Sequence, residues 1–352
     1  MTPLAALLIE RIRESGPISV ADYMADCLLH PAHGYYTTRD PFGAGGDFTT
    51  APEISQMFGE LFGLALAQAW LDQGAPSPFT LAELGPGRGT LMADVLRATR
   101  GVPGFHAAAR VVLVEASPVL RARQRDRLAP HPVTWADSTD SLPDQPLFLI
   151  ANEFFDALPI RQFLRDGVVW RERLVGLDKG HLAFGLSAPL PQVPDSPAFR
   201  DAPAGALVEV CPAATFALAP VRARIARFGG LAYIIDYGDW RSRGDTLQAL
   251  RAHAFDDPLA HPGEADLTAH VDFEALAQGA GACAYDTQGA VLARLGIAAR
   301  ADRLAQGLAG PARETHLAAL RRLTHPQEMG SLFKVLALCR AGSPPPPGFD
   351  AA

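Results

Sequence analysis

The chain has 352 residues, 48% of them hydrophobic and 20% charged, enough for one large or two modest domains with a substantial core. A formal net charge of −7 argues against the broadly basic face that general nucleic-acid binding requires. The cysteines Cys27, Cys211, Cys283 and Cys339 are too scattered for a CxxC zinc site or a disulfide framework, so a reducing compartment and no metal are expected.

Met1 to Glu14 carries Leu4, Leu7, Leu8 and Ile12 at helical spacing and reads as a short amphipathic helix. It lacks the leading positive charge of a signal peptide. No apolar run reaches the ~20 residues that span a bilayer. The expectation is therefore a cytoplasmic protein without stable membrane insertion. Ser19 to Leu29 reads as a helix with Ser19 as its N-cap, and His30 to Asp47, rich in Gly, Pro and Tyr, as an ordered loop. Glu53 to Leu71 has helical periodicity throughout.

From Phe79 short apolar runs alternate with helical stretches. Phe79–Leu84, Arg110–Glu115 and Leu147–Ala151 read as strands, with a further one ending at Trp135; Leu91–Thr99 and Pro118–Leu128 read as helices. This alternation predicts an α/β fold with a doubly wound, Rossmann-like parallel sheet and right-handed crossovers. Residues 161–228 are less regular: Val168–Leu177 and His181–Leu186 suggest a hairpin, and Pro189–Pro203 a loop. Gly229–Gly238 is another strand and Leu332–Leu338 a final one. The expected division is an N-terminal helical or lid segment (1–78), a sheet core (79–160 and 229–340) and an inserted cap (161–228).

Between the first strand and its helix stands Glu83-Leu84-Gly85-Pro86-Gly87-Arg88-Gly89. The dinucleotide fingerprint is G-x-G-x-x-G, with its last glycine one position later, which disfavours a nicotinamide dehydrogenase. Glycines Gly85, Gly87 and Gly89 let the backbone approach a ligand without an intervening Cβ. Pro86 stiffens the turn. Glu83 can meet a cation or an ammonium. Those features suit S-adenosylmethionine (SAM), which has a sulfonium and an amino-acid moiety but no phosphate; a generic Gly-Pro turn is the competing explanation. Glu115 ends the second strand, where an acid can take both ribose hydroxyls, although it also precedes Ser117-Pro118 and could serve the helix start. Asp137 follows the third strand and could bind an adenine amine or be an exposed turn residue.

Leu147–Ala151 runs into Asn152-Glu153-Phe154-Phe155-Asp156. Two acids and an amide at the carboxyl end of a central strand are costly to bury unpartnered. A guanidinium would pair well with Glu153 and Asp156; alternatively both favour the dipole of a following helix.

Several segments resemble the MidA family. They are Gly34-Tyr35-Tyr36, Gly46 to Gln56, Glu83 to Met92, Ala151 to Pro159, Ile235 to Gly238, Asp245 to Gln248 and Asp266 to Phe273. Thr49 departs from the pattern, where isoleucine is expected. The resemblance implies a class I methyltransferase fold with an inserted cap and SAM as cofactor. It implies that the glycine loop and Glu115 bind SAM, that Asn152, Glu153 and Asp156 line the substrate side, and that Asp47 to Glu53, with Thr50, close over the pocket. His270 could receive a displaced proton or be a satisfied surface histidine. Tyr237 fits core or pocket. Mitochondrial members are similar to protein arginine methyltransferases that modify a core subunit of respiratory complex I and aid its assembly. A protein substrate of that kind is the leading expectation. A small-molecule methyltransferase and a non-catalytic assembly chaperone are the alternatives, and monomer and homodimer both stay open.

Overall fold

The computed structural model describes residues 1–38 and 50–350. Asp47 and Thr49 lie outside the described residues. The chain divides into two compact units, one drawn from the described parts of 1–48, 155–216 and 238–276, the other from 49–154, 217–237 and 277–352.

The second unit is built on seven strands: β1 (Phe79–Leu84), β2 (Ala109–Val114), β3 (Val133–Ala136), β4 (Leu147–Asn152), β5 (Gly230–Asp239), β6 (Ala282–Thr287) and β7 (Phe333–Cys339). Their spatial order is β6-β7-β5-β4-β1-β2-β3. β1 to β5 run parallel, while β7 is antiparallel to both β5 and β6. β1 and β4 are buried along their whole length, as apolar runs covered on both faces should be. The chain leaves β1 towards β2 and β3 on one side and returns to β4 on the other. β1 and β4 therefore flank the point where the winding reverses.

Three helices bear on the loop after β1: α1 (Gln56–Asp72), α2 (Thr90–Thr99) and α3 (Pro118–Arg127). α1 and α2 meet along a glycine seam. A Cβ on Gly63 would stand 2.8 Å from the Val95 Cα, and one on Gly59 2.6 Å from the Asp94 Cβ. Trp70, Phe79, Phe105 and Phe148 interlock with ring centroids 5.0–5.6 Å apart. Truncating one such ring to alanine costs ~3–5 kcal/mol. Glu60, buried within α1, is held by Arg97 at 2.8 Å and Arg300 at 2.7 Å.

The expected single helix from Glu53 to Leu71 is two, Ala51–Ile54 and α1. Ser55 sits between them in extended backbone and its hydroxyl accepts the Met57 N–H. A serine that can cap offers the backbone an alternative to continuing the helix. Residues 212–228, read as irregular, form a helix that carries Pro220 inside it.

The first unit holds a five-stranded antiparallel sheet, in which Val169–Asp178 and His181–Leu186 form the anticipated hairpin. A three-stranded sheet contains Gln248–Arg251, Ala254–Asp256 and Asp266–Thr268. Its core gathers Leu4, Leu8 and Ile12 of the N-terminal helix with Tyr23, Met24, Ile160, Val175 and Leu267. The helix Val20–Leu29 starts at Ser19, whose hydroxyl accepts the Asp22 N–H at 3.0 Å. The units are cut differently from the sequence-based division: 155–160 falls with the cap strands and 217–228 with the large sheet. Gln56–Asp72 belongs with the large sheet, and 238–276 belongs with the cap strands.

Candidate active site

The glycine loop follows β1 and leads into α2. Gly85, Gly87 and Gly89 have φ of +59°, +52° and +76°, the left-handed region that residues with a Cβ enter at a cost. At Gly85 a Cβ would also meet the Phe154 ring at 2.8 Å. Thus the tip of β4 packs on the loop after β1, and only glycine fits between. Gly89 N–H donates to Pro86 O at 2.7 Å, closing the turn.

Glu83 lies under this loop, 3% exposed, and its Oε2 has no hydrogen-bond partner among the described residues. Burial pushes its pKa up to about 8, with the Met92 N–H opposing and Glu115 and Asp94 adding to the rise. A buried carboxyl with an orphaned oxygen is a costly arrangement that a donor or cation would relieve.

Glu115 follows β2. Its Oε1 accepts the Ser117 N–H at 2.8 Å and its Oε2 the Gln124 Nε2 at 3.1 Å. Burial raises its pKa too, opposed by those two donors, the Arg121 charge and the Ala116 N–H. Each oxygen keeps capacity for another donor. Ser117 is the N-cap of α3 with Pro118 in the first turn, so Glu115 serves the helix start as well. Asp137 follows β3, as expected, but its side chain is 90% exposed and pairs with Arg121 at 2.5 Å.

At the tip of β4, Asn152 is buried, donates to Glu153 Oε1 at 3.0 Å and leaves its Oδ1 without a partner among the described residues. Glu153 has φ +50°, a strained setting for a residue with a Cβ, worth ~1–3 kcal/mol. Its Oε1 also accepts the Ala51 N–H at 3.1 Å. Thr50 is the N-cap of the short helix that carries Glu53, and Pro52 lies in its first turn. Glu53 in turn accepts the Thr90 hydroxyl at the start of α2. The short helix Ala51–Ile54 is therefore hydrogen-bonded at one end to Glu153 and through Glu53 to the start of α2. Asp236, fully buried at the end of β5, accepts the Phe154 N–H at 3.2 Å and the Tyr237 N–H at 3.1 Å. Tyr237 stacks edge-on against Phe333 at 5.5 Å, on the core side.

The first unit has its own polar cluster. Tyr36 donates to Asp266 at 2.9 Å. Burial raises the Tyr36 pKa, and the charges of Asp266 and Asp156 add to it. Asp156 is buried, and its backbone carbonyl accepts the Ala269 N–H at 2.9 Å. His270 donates its backbone N–H to the Thr246 hydroxyl at 2.8 Å. Thr246 donates to Glu209, which Gln162 also holds at 2.7 Å.

Sequence reasoning did not single out Gln124, Thr90 or Glu209. Gln124 left one trace: it interrupts an apolar i, i+4 stripe between Leu120 and Leu128. Among the described residues no group of three or more His, Cys, Asp or Glu could hold a metal ion, and no helix is long and apolar enough to cross a membrane.

A family model for S-adenosyl-L-methionine-dependent methyltransferases matches residues 61–291. Protein arginine methyltransferase NDUFAF7, mitochondrial, of Danio rerio is 36% identical, over 94% of this chain and 85% of its own. The mouse (Mus musculus) protein of that name is 37% identical, over 96% and 84%. A COG1565 superfamily member from Burkholderia thailandensis, solved bound to S-adenosyl-homocysteine, superposes with a TM-score of 0.82 at 31% identity, covering 99% of this chain and 93% of that one. The chain belongs to the MidA family of S-adenosyl-L-methionine-dependent methyltransferases.

Proposed function

We propose that the chain is a protein arginine N-methyltransferase acting on a subunit of respiratory complex I or a similar protein. The observation that carries it is the β4 tip: a glutamate in strained backbone, Glu153, stands beside the orphaned Asn152 amide oxygen, and the next residue, Phe154, packs on Gly85 of the glycine loop. Strain at a strand tip is kept where the surrounding fold over-determines it, and such positions cluster at functional sites. Relatives at 36–37% identity carry the name protein arginine methyltransferase.

The residues fit the cofactor. Gly85, Gly87 and Gly89 give it a backbone without Cβ atoms, the orphaned Glu83 Oε2 suits its ammonium, Glu115 has acceptor capacity for its ribose, and Asn152 Oδ1 awaits a donor. Asp137 is assigned to the adenine edge. When bound, SAM supplies a methyl group on an electron-poor sulfonium. Glu153 pairs with the substrate guanidinium and orients one nitrogen for in-line attack. The nitrogen that accepts the methyl group would have to lose a proton to a nearby base. Glu153, Asp156 and His270 are the assigned acceptors, with Asp47, Thr50, Glu53 and Tyr237 on the substrate side. The four free cysteines support a reducing compartment, and we place the enzyme in the cytoplasm.

The test is methyl transfer from tritiated SAM into cell extract. Label in protein bands, located at arginine by mass spectrometry and absent with Glu153→Gln, is the expected result. Label confined to small solutes overturns the protein substrate. No transfer by a chain that binds SAM, with partner assembly intact in Glu153→Gln, points instead to a chaperone.

A further inference from the structure

α3 is a polar helix of arginines whose inward stripe is Leu120, Gln124 and Leu128. Helical periodicity calls for an apolar residue at the middle position. The glutamine there is fully buried. Its Nε2 donates to Gly87 O at 2.8 Å and to Glu115 Oε2 at 3.1 Å, while its Oε1 accepts the Trp135 Nε1–H at 2.8 Å. The orientation of the amide is fixed by chemistry. Turned over, it would set its NH2 against the indole N–H and its oxygen against a carbonyl and a carboxylate.

One side chain therefore ties together the middle glycine of the loop, the acid after β2 and a residue of β3. Nothing about burying an amide in an apolar stripe favours stability unless all its bonds are made. Here they are made, and two of the three go to Gly87 and Glu115, the groups assigned above to the cofactor.

We propose that Gln124 is a positioning residue for methyl transfer: it holds the Glu115 carboxylate in the plane that receives the ribose hydroxyls and keys that plane to Gly87. This rests on the reading that Glu115 binds the ribose. Glu115 is gripped from two sides, by the Ser117 N–H on one oxygen and Gln124 on the other. Without Gln124 the carboxylate keeps only the backbone N–H donors of Ala116 and Ser117 on the helix side and loses its tie to the glycine loop. Trp135, whose ring also carries Arg125 with its guanidinium carbon 5.1 Å from the centroid, fixes Gln124 from behind.

The experiment is calorimetric titration of the full chain with S-adenosylhomocysteine and with its 2′-deoxy and 3′-deoxy analogues. The wild type prefers the intact ribose. Gln124→Met is expected to weaken S-adenosylhomocysteine binding by about 10- to 100-fold, the range for losing a hydrogen bond to a carboxylate. It should weaken the deoxy analogues far less, so that the preference collapses. A uniform loss on all three ligands, with the preference intact, overturns the positioning role. Glu115→Gln, measured alongside, tests the underlying reading: a preference retained there overturns ribose binding by Glu115 itself. Should Gln124→Met fail to fold, Trp135→Phe takes its place. It keeps both Gln124 donors and removes only the bond that steadies them. A several-fold narrowing of the ribose preference is expected, and an unchanged preference overturns the proposal.

Discussion

Glu115 and Glu209 are close chemical counterparts in different units. Both are 8% exposed, both have their pKa raised by burial, and both are held by a glutamine amide. They differ in what they tie together. Glu209 Oε1 accepts Gln162 and the Thr246 N–H at 3.0 Å, and its Oε2 accepts the Thr246 hydroxyl. That carboxylate is a strut, fixing the turn that leads through Thr246 to His270. Glu115 accepts the Ser117 N–H on Oε1 and Gln124 on Oε2, with the Ala116 N–H also favouring its charged form, and through Gln124 it is joined to the glycine loop at Gly87 O. The three donors of Glu209 all come from its own unit and link the strand Arg161–Asp166 to Thr246. Glu115 instead stands between a helix start and the glycine loop, the place proposed above for the ribose.

Substitutions at the cofactor loop and at the two glutamates probe this difference, the loop with the largest expected effect. Gly85→Val sets a branched side chain at φ +59° and into the Phe154 ring. Strain of ~2–3 kcal/mol or more is expected, with S-adenosylhomocysteine affinity down by about 100-fold and an unchanged far-ultraviolet spectrum. Intact binding would mean that the loop is not the cofactor cradle.

Glu209→Ala should cost ~3 kcal/mol of stability by denaturant titration, because it strips a buried carboxylate from three donors, yet leave cofactor affinity within a factor of about two. Glu115→Gln should do the reverse, losing affinity by about tenfold or more with stability changed by under ~1 kcal/mol. If both variants lose the same property, the distinction between strut and receptor collapses.

Glu83 extends the contrast through pH. Its folded pKa, about 8, is above the ordinary value of 4.5, so the fold prefers the protonated acid. The contribution is complete below pH 4.5 and is lost as pH rises through about 8. Thermal melts without ligand should therefore decline across this window, and Glu83→Gln should flatten that decline. A variant with the wild-type pH profile would place the titration elsewhere. Asp137→Ala is the smallest effect. Its ion pair with Arg121 is exposed, so stability should move by no more than ~0.5 kcal/mol. Cofactor affinity should fall by less than about tenfold if Asp137 meets the adenine.

Much of the site was written locally. The loop glycines, Glu115 and the β4 tip are each recognisable because strand, turn and helix signals sit within a few residues of them. Chain order also sufficed for the hairpin Val169–Asp178 to His181–Leu186. The break at Ser55 was harder, since a serine hydroxyl that caps one helix or bonds within another looks the same in sequence. The antiparallel course of β7 was not legible either: a buried apolar strand carries no mark of its direction.

Short windows of the chain were enough to state the chemistry on offer: a glycine loop of spacing unsuited to a dinucleotide, acids at three strand ends, and an amide beside an acid at a fourth. Within such windows spacing and residue type settle the backbone. How that chemistry is held was settled in three dimensions. Gln124 is 37 residues from Gly87 in the chain and within hydrogen-bond distance of it in the fold. Winding the sheet outward from β1 brings α3 back over the loop, and a polar side chain in that place finds its partners across strands rather than along them.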